Sequence, residues 1–434
     1  MQKIISIACL AFMLSLGYAF YYHDRPRVDA AAYDKIAWNL ARGNGYVEET
    51  ALASTPEQDW GINRVGPGYQ LFLATLYSIF GHRIWVVWVA HAFLRAISVI
   101  LVWLIARELM PDEPRAWFMA AIFFTFAPDL IVVSGLLLTE TFFITLLLGA
   151  LYATIRYFQI PSRTSLGMLA ILWPVALLTR PIIIFAIIVL CGYAFWIRDR
   201  RMAMALVLGC MLFVAPWSYR MSQRYERFIL TTGVGWYDVW VGNHRGATGG
   251  FEKPPEIQRI RDSVSMKELD HISRQEYVRF LTKHPIEFIG LQIRKTSLYV
   301  SLIRPGGFWI HLAGQPYERI ATLGASFIWT IIIFVLGFTG AWILSRERPN
   351  RITNTVLVTM VMLPLGVIPA IVETRYRYAL YPLLAISAAY AYTRRPVPWR
   401  VIVGVASILL VLTSIDAWYN IGTITDRITV VFDL

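Results

Sequence analysis

The chain is dominated by apolar segments that are about as long as a lipid bilayer is thick. A hydrocarbon core of about 30 Å takes roughly 20 residues of helix to cross, and apolar runs of that order recur between residues 4 and 419. Hydrophobic residues make up 57% of the sequence and charged residues only 16%, which excludes a water-soluble multidomain enzyme. The runs are continuous and do not alternate in polarity as barrel strands do. The sequence therefore predicts an all-α polytopic membrane protein.

Charged residues divide this apolar sequence into eleven candidate transmembrane spans. The spans are residues 4–22, 84–106, 115–133, 140–158, 165–179, 182–197, 202–219, 321–344, 352–372, 376–392 and 399–419. The segment Pro67–Gly81 is apolar but too short to cross, so we expect an interfacial or re-entrant helix there. The amphipathic stretch Glu276–Val300 is typical of a helix lying on the outer membrane surface.

The division into spans predicts three parts. Residues 1–220 form an N-terminal transmembrane catalytic module with a first outer loop at 23–83, residues 221–320 form a large outer loop with interfacial helices, and residues 321–434 form the C-terminal transmembrane helices. Long connections that are not low in complexity usually carry function. We therefore expect the chemistry on the side of the membrane where the two long loops lie.

Basic residues indicate which side that is. The formal net charge is +12, and much of the surplus lies in one set of short connections, such as the one with Arg198, Arg200 and Arg201. Short loops rich in arginine stay in the cytoplasm, so the amino terminus is predicted to be cytoplasmic and the long loops periplasmic. A nucleic-acid partner is not indicated, because the basic residues do not cover one face of a soluble module.

The two long loops and three outer turns contain polar stretches in a distinctive order. The first loop has an Asp-x-x-x-Tyr stretch that ends in small-x-Gly-x-aromatic, formed by Asp29, Tyr33, Gly43 and Tyr46. A basic residue before a proline follows, at Arg64 and Pro67. Taken alone, Asp29 is equally well explained as a helix cap. The further stretches are Leu137–Glu140, Leu178–Pro181, Trp240–Gly250 and Glu373–Tyr378.

In this order, the stretches resemble the GT-C superfamily of membrane glycosyltransferases. More narrowly, they resemble the branch with the dolichyl-phosphate-mannose protein mannosyltransferases and the bacterial lipid A aminoarabinose transferase. The resemblance covers roughly residues 1–395 and implies a GT-C-like bundle of about eleven transmembrane helices. The short loops and modest length are those of bacterial relatives, so we expect a multi-pass protein of the bacterial inner membrane.

The resemblance implies transfer of a sugar from a polyprenyl phosphate to an acceptor hydroxyl, with inversion at the anomeric carbon. The acceptor is expected to be a glycan, a lipid such as lipopolysaccharide, or a protein of the cell envelope. An attacking hydroxyl must lose a proton, which a carboxylate accepts, and Asp29 is the predicted base. The departing lipid phosphate gains charge that arginines stabilise. The candidate phosphate-binding residues are Arg64, Arg180, Arg375 and Arg377.

Further site residues lie in the same stretches. Glu140 is a second candidate catalytic residue with three alternative roles: contact with donor hydroxyls, orientation of an arginine, or binding of a divalent cation. A helix cap is its simplest structural explanation. Ala30 occupies a position at which many relatives carry a second acidic residue, so metal dependence stays open. Substrate contacts are expected from Tyr33, Tyr69, Asn243, His244 and Tyr378.

The spacing within two pairs of ionisable residues refines the predicted roles of their side chains. Arg375 and Arg377 lie two residues apart and cannot face the same way on a helix, so Arg375 is the stronger candidate for the phosphate site.

His91 and Arg95 lie four residues apart and share one face of the second span. Ionisable residues within a span usually face a partner or a cavity, and we expect a structural partner such as an acidic residue of a neighbouring helix.

Two other functions are compatible with a polytopic membrane protein. A secondary transporter holds its substrate at mid-depth between repeated halves with broken helices, whereas this sequence shows no such repeat. A ligase or polymerase of lipid-linked oligosaccharides faces the same lipid-phosphate chemistry, but it leaves the match from Asp29 to Tyr46 unexplained. Sugar or ion flux without a glycosidic product would distinguish transport from transfer.

Overall fold

The computed structural model consists of helices joined by loops, and it describes most of the chain. The described residues are 2–52, 54–55, 59–64, 66–233, 235–250, 252–303, 315–394 and 397–432. Within them there is no β-strand. The α-helices are α1 (Gln2–Tyr22), α2 (Asp29–Ala41), α3 (Gly68–Phe80), α4 (Ile84–Leu109), α5 (Pro114–Thr125), α6 (Pro128–Ser134), α7 (Thr139–Gln159), α8 (Arg163–Thr179), α9 (Ile184–Trp196), α10 (Arg200–Arg224), α11 (Gly235–Val241), α12 (Pro255–Ser263), α13 (Met266–Lys283), α14 (Pro285–Val300), α15 (Pro316–Glu347), α16 (Arg351–Leu365), α17 (Tyr381–Thr393) and α18 (Trp399–Phe432).

Six of these helices are long and apolar enough to cross a membrane. They are α1, α4, α7, α10, α15 and α18, and the pair α5 and α6 adds a seventh if it is taken as one span bent by 55°. The helices α8, α9 and α16 are apolar but shorter. The predicted all-α polytopic fold is confirmed, while fewer of the eleven predicted spans are continuous than expected.

Prolines explain where the predicted spans break. Pro128 begins α6, and Ala127 before it has ψ of 105°, because the residue that precedes a proline is pushed out of the helical region. Pro364 lies in the last turn of α16, which ends at Leu365. A 3₁₀ turn at Thr374–Leu380 precedes α17. The predicted spans 115–133, 352–372 and 376–392 are therefore interrupted.

The two short or amphipathic segments predicted outside the spans also form helices. Helix α3 matches the apolar segment predicted at 67–81 to within a residue at each end. The amphipathic stretch Glu276–Val300 is divided between α13 and α14, because Pro285 starts a new helix after His284. Residues 304–314 of the large loop lie outside the described residues.

Helix packing places the ends of several helices together. Helix α15 packs on α17, α1 on α4, and α7 on α8, which in turn packs on α10. Helix α17 is buried along most of its length. The predicted acidic partner of Arg95 is wrong, because its Nη2 donates to the carbonyl oxygens of Phe124 and Thr125 at 3.3 and 3.2 Å. These carbonyls lie in the last turn of α5, where carbonyl groups have no partner further along the helix.

Candidate functional site

A cavity of about 460 Å³ lies where α2 and α7 begin and where α8 and α16 end. Its described wall carries charged side chains from widely separated parts of the sequence. The carboxylates are Asp29, Glu140 and Asp238, and the basic residues are Arg64, Arg180, Lys253 and Arg375. Five of the charged residues that the sequence singles out thus lie around one cavity.

Asp29 does not act as a helix cap. It is the first residue of α2, the capping position belongs to Val28, and no side chain caps the helix. Its carboxylate instead accepts from Nη2 of Arg375 at 2.6 Å and lies 3.5 Å from Nη1 of Arg64. Burial alone raises the pKa of Asp29, but the two guanidinium groups, Arg375 first, outweigh burial and hold that pKa below its usual value.

Arg64 is held by a second carboxylate from the first loop. Its Nε and Nη2 each lie 3.0 Å from an oxygen of Glu48, in the bidentate arrangement that guanidinium and carboxylate groups favour. Asp59, fully buried, accepts backbone N–H groups of Glu48, Glu49 and Gly61 at 2.8 to 3.0 Å. This aspartate fixes the loop that brings Glu48 to Arg64.

Glu140 and Arg180 form a buried ion pair. Nη1 of Arg180 lies 3.1 Å from Oε1 of Glu140, and the two side chains are only 5% and 2% exposed. Arg180 has extended backbone because Pro181 follows it, which turns its side chain away from the axis of α8. The ring of Tyr376 lies 5.3 Å from the guanidinium carbon of Arg180. Arg180 is therefore anchored inside the protein and does not extend to the bilayer surface.

The 3₁₀ turn before α17 separates its two arginines. Nε of Arg375 lies 2.9 Å from Oε2 of Glu373, which offsets part of its charge. Arg377 is fully buried and donates to the carbonyl oxygen of Ser301 at 2.7 Å and to the hydroxyl of Tyr381 at 3.2 Å. Two residues along such a turn the side chains point in different directions, so Arg377, a predicted phosphate contact, does not line the cavity.

The predicted substrate contacts divide between the cavity wall and the layer behind it. Tyr33 lines the cavity, whereas Tyr69, Asn243, His244 and Tyr378 do not. Tyr69 is fully buried and packs edge-to-face on Tyr33, with ring centroids 5.8 Å apart. Tyr378 is likewise fully buried. Aromatic residues in apolar surroundings are more often part of the core than of a site, and these two follow that rule.

Asn243 supports the cavity wall from behind. Its Nδ2 donates to the carbonyl oxygens of Pro369 and Ala370 at 2.9 and 3.0 Å, and Ala370 lines the cavity. Nζ of the fully buried Lys295 donates to Oδ1 of Asn243 at 2.7 Å. Nδ1 of His244 lies 3.1 Å from the neighbouring carbonyl oxygen of Val241. The Gly-Asn-rich stretch therefore shapes the site without facing it.

Asp238 is a charged wall residue that sequence reasoning missed. It lies in the short helix α11, and burial raises its pKa to about 7; Lys253 opposes this shift, while Glu373 and Asp29 add to it. Its neighbour Tyr237 also lines the cavity. Asp238 is a single acidic residue after two aromatic residues, and no periodicity or motif spacing in the sequence marks it as a site residue.

Two glycines bring the cationic segments together. No Cβ fits at Gly66 against the carbonyl oxygen of Leu178, and a Cβ at Gly68 would lie 2.5 Å from Oγ1 of Thr179. The chain just after Arg64 therefore packs directly on the chain just before Arg180. This contact sets the separation of the two arginines across the cavity.

The described residues contain no group of three or more His, Cys, Asp or Glu side chains arranged to hold a metal ion. Each cavity carboxylate comes from a different segment, and two of them are engaged by arginines.

Comparison with known proteins identifies the class to which this fold belongs. The model of the dolichyl-phosphate-mannose-protein mannosyltransferase family matches residues 64–219. ArnT from Cupriavidus metallidurans, in a crystal structure bound to undecaprenyl phosphate, has a TM-score of 0.53 at 16% identity over 93% of this chain and 62% of its own. The apo oligosaccharyltransferase of Archaeoglobus fulgidus has a TM-score of 0.53 at 13% identity over 96% of this chain and 56% of its own. Curated protein sequences give no significant match.

The chain shares the fold of these two solved structures, and the predicted resemblance to the GT-C superfamily of membrane glycosyltransferases is confirmed. The sequence match to the mannosyltransferase family begins at Arg64 and includes Glu140 and Arg180. The chain spans less than two thirds of the length of each of these solved structures.

Proposed function

We propose that the protein is a glycosyltransferase that moves a sugar from a polyprenyl-phosphate donor to an acceptor hydroxyl, with inversion at the anomeric carbon. The observation that carries this proposal is the position of Asp29 between Arg375 and Arg64 in a cavity at the helix ends. One carboxylate beside several guanidinium groups matches the two demands of the reaction, which are a proton acceptor and a stabiliser of phosphate charge.

The arginines supply the phosphate end of the site. Guanidinium groups bind phosphate oxygens through two parallel hydrogen bonds, and the three that line the cavity come from different segments and converge on it. The undecaprenyl phosphate bound in the ArnT crystal structure supports a polyprenyl-phosphate-linked sugar as the donor class. In the proposed complex the donor phosphate lies among Arg64, Arg180 and Arg375.

Asp29 supplies the base. The acceptor oxygen attacks the anomeric carbon and forms the new glycosidic bond, while the bond from that carbon to the phosphate oxygen breaks and its electron pair leaves with the polyprenyl phosphate. The acceptor proton passes to the carboxylate of Asp29. A donor phosphate competes with that carboxylate for Arg375, so donor binding frees Asp29 and raises its affinity for the proton.

The proposed site faces the periplasm of a bacterial inner membrane. The short arginine-rich connections support a cytoplasmic amino terminus, and the loops that carry Asp29, Arg64 and Asp238 then lie outside. Reporter fusions in those loops test this orientation, and cytoplasmic readouts for them would contradict it. The acceptor under this proposal is a component of the cell envelope.

The central experiment measures turnover of purified Asp29→Asn. Envelope membranes from a strain that lacks the gene supply lipid-linked donor and acceptor, and the transferred sugar is quantified by mass spectrometry. We expect loss of roughly 10²- to 10⁴-fold, as is typical when a general base is removed. Asp34→Asn, in the same helix α2 but outside the cavity wall, is the matched control. Undiminished turnover by folded Asp29→Asn would reject this aspartate as the base, and sugar flux without a new glycosidic bond would favour transport.

A further inference from the structure

Asp238 differs from the other two carboxylates of the cavity. Asp29 and Glu140 have arginine partners at 2.6 and 3.1 Å. Across the residues that the structure describes, the side chain of Asp238 makes neither a hydrogen bond nor a salt bridge. Its carboxylate is thus the cavity acid whose hydrogen-bonding capacity is left for a ligand.

The surroundings of Asp238 differ from those of the arginines. Trp60 and Tyr237 line the cavity beside it, with ring centroids 6.1 Å apart in an edge-to-face contact. Nζ of Lys253 lies 6.0 Å from the centroid of the Tyr237 ring. We call Trp60, Tyr237, Asp238 and Lys253 the Asp238 wall. It combines aromatic surface with one carboxylate and one amine.

Burial makes this carboxylate a strong acceptor of hydrogen bonds. A desolvated carboxylate without donors is costly, and buried polar groups in native proteins nearly always have partners. A ligand that presents O–H groups removes this cost and gains charge-assisted hydrogen bonds, which are the strong ones. A second anion, such as another phosphate, would be repelled by the same group.

We propose that the Asp238 wall is the acceptor subsite and that it takes a polyhydroxylated glycan, whose hydroxyl groups donate to Asp238 while a sugar ring packs on Trp60. The inference rests on the proposed glycosyltransferase function. A glycan offers several hydroxyls, so one can attack at Asp29 while another binds Asp238. A peptide serine or threonine offers a single hydroxyl, which the reaction itself uses, so only N–H groups or other side chains of the peptide could donate to Asp238.

The subsite responds to pH through the groups that face Asp238. These are Lys253, which favours the carboxylate, and Asp29 and Glu373, which oppose it, together with the phenols of Tyr237 and Tyr376. Burial and the two acids raise the pKa of Asp238 to about 7. The glycan should therefore bind better as the pH rises through this value.

The test compares wild type with Asp238→Asn at increasing amounts of envelope extract from a strain lacking the gene. Transfer is followed by mass spectrometry of the glycans, and the dissociation constant of undecaprenyl phosphate is measured in parallel with purified protein. For Asp238→Asn we expect the half-saturating amount of extract to rise roughly ten- to hundredfold, the effect of losing a hydrogen bond to a charged group. Asp238→Asn should leave the binding of undecaprenyl phosphate unchanged. Glu256→Gln, at an exposed carboxylate of α12, should change neither the half-saturating amount of extract nor this binding.

A second arm requires no variant. Extract treated with protease should still saturate the wild-type enzyme, because the acceptor is a glycan. Loss of acceptor activity after protease treatment, or an unchanged half-saturating amount for active Asp238→Asn, would overturn the assignment of the subsite alone. Absence of any transfer by the wild type would overturn the proposed function as well.

Discussion

Nη2 of Arg375 lies 2.6 Å from Oδ2 of Asp29, although 346 positions separate the two residues in the chain. An internal carboxylate thus occupies a guanidinium that, under the proposed function, the donor phosphate also contacts. The proposed base and the proposed phosphate site are therefore coupled, because whatever binds Arg375 changes the proton affinity of Asp29. The pair lies at the cavity wall, with side chains 17% and 24% exposed.

Asp29→Asn should bind undecaprenyl phosphate more tightly even though it is inactive. Removal of this anion leaves one carboxylate fewer to compete with the phosphate for Arg375, and we expect a gain of about three- to tenfold, kept modest by solvent screening of a partly exposed pair. Isothermal titration calorimetry in detergent measures it, with Asp34→Asn as the unchanged control. Weaker binding by Asp29→Asn would mean that this aspartate holds the arginine in place and does not compete with the ligand.

Arg64→Ala should weaken binding of undecaprenyl phosphate by roughly tenfold or more, because a charge-assisted contact is lost and Glu48 becomes an uncompensated anion beside the site. The same titration gives the dissociation constant. Arg42→Ala, an exposed arginine that follows α2, controls for the general loss of positive charge. Equal affinities of wild type and Arg64→Ala would remove this arginine from the phosphate site.

Arg180→Ala should lower the thermal stability of the protein. Removing one partner of a buried pair leaves the other charge uncompensated, at a cost of about 3–5 kcal/mol. Glu140→Gln combined with Arg180→Met should recover most of the melting temperature in detergent, while binding of undecaprenyl phosphate stays weak. If the double variant regained both stability and affinity, Arg180 would have a structural role only.

Asp238 should make stability fall as the pH rises. Its pKa in the folded protein is raised to about 7 by burial first, whereas the unfolded chain titrates near 3.9. Between these two pKa values the folded state keeps a proton that the unfolded state has already released. The stabilisation is therefore full below the pKa of the unfolded chain and is lost as the pH rises through the pKa of the folded protein. As the pH rises from about 5 to about 8, the melting temperature of Asp238→Asn should fall less than that of wild type or of Glu256→Gln. Equal losses in all three proteins would contradict this.

The helical membrane fold was predictable because its signal is local. Each apolar run carries its own evidence for a helix, and the match of α3 to the predicted 67–81 segment follows from length and polarity alone. The breaks were harder to place, since Pro128 and Pro364 end helices inside runs that remain apolar on both sides. Hydropathy averages across such a break, whereas backbone geometry does not.

The charged cavity was predictable only in part. Asp29, Arg64 and Arg375 stand in motifs with a recognisable order, so a resemblance brings them together on one side. Glu48 and Asp238 have no motif, and each reaches the site through loop folding that no periodicity encodes. Arg377 shows the opposite limit, because its motif is clear but the turn directs its side chain into the core.

The contact of Gly66 and Gly68 with the end of α8 joins two cationic turns into one unit without side chains between them. Even an alanine at either position would push the two turns apart, so the backbone itself fixes the spacing of Arg64 and Arg180. The loop on the opposite side of the cavity is fixed in a similar way, since no Cβ fits at Gly242 against the carbonyl oxygen of Ala370. Under the proposed function, the choice of acceptor can therefore change through side chains that face the cavity, while the backbone keeps the two cationic turns in place.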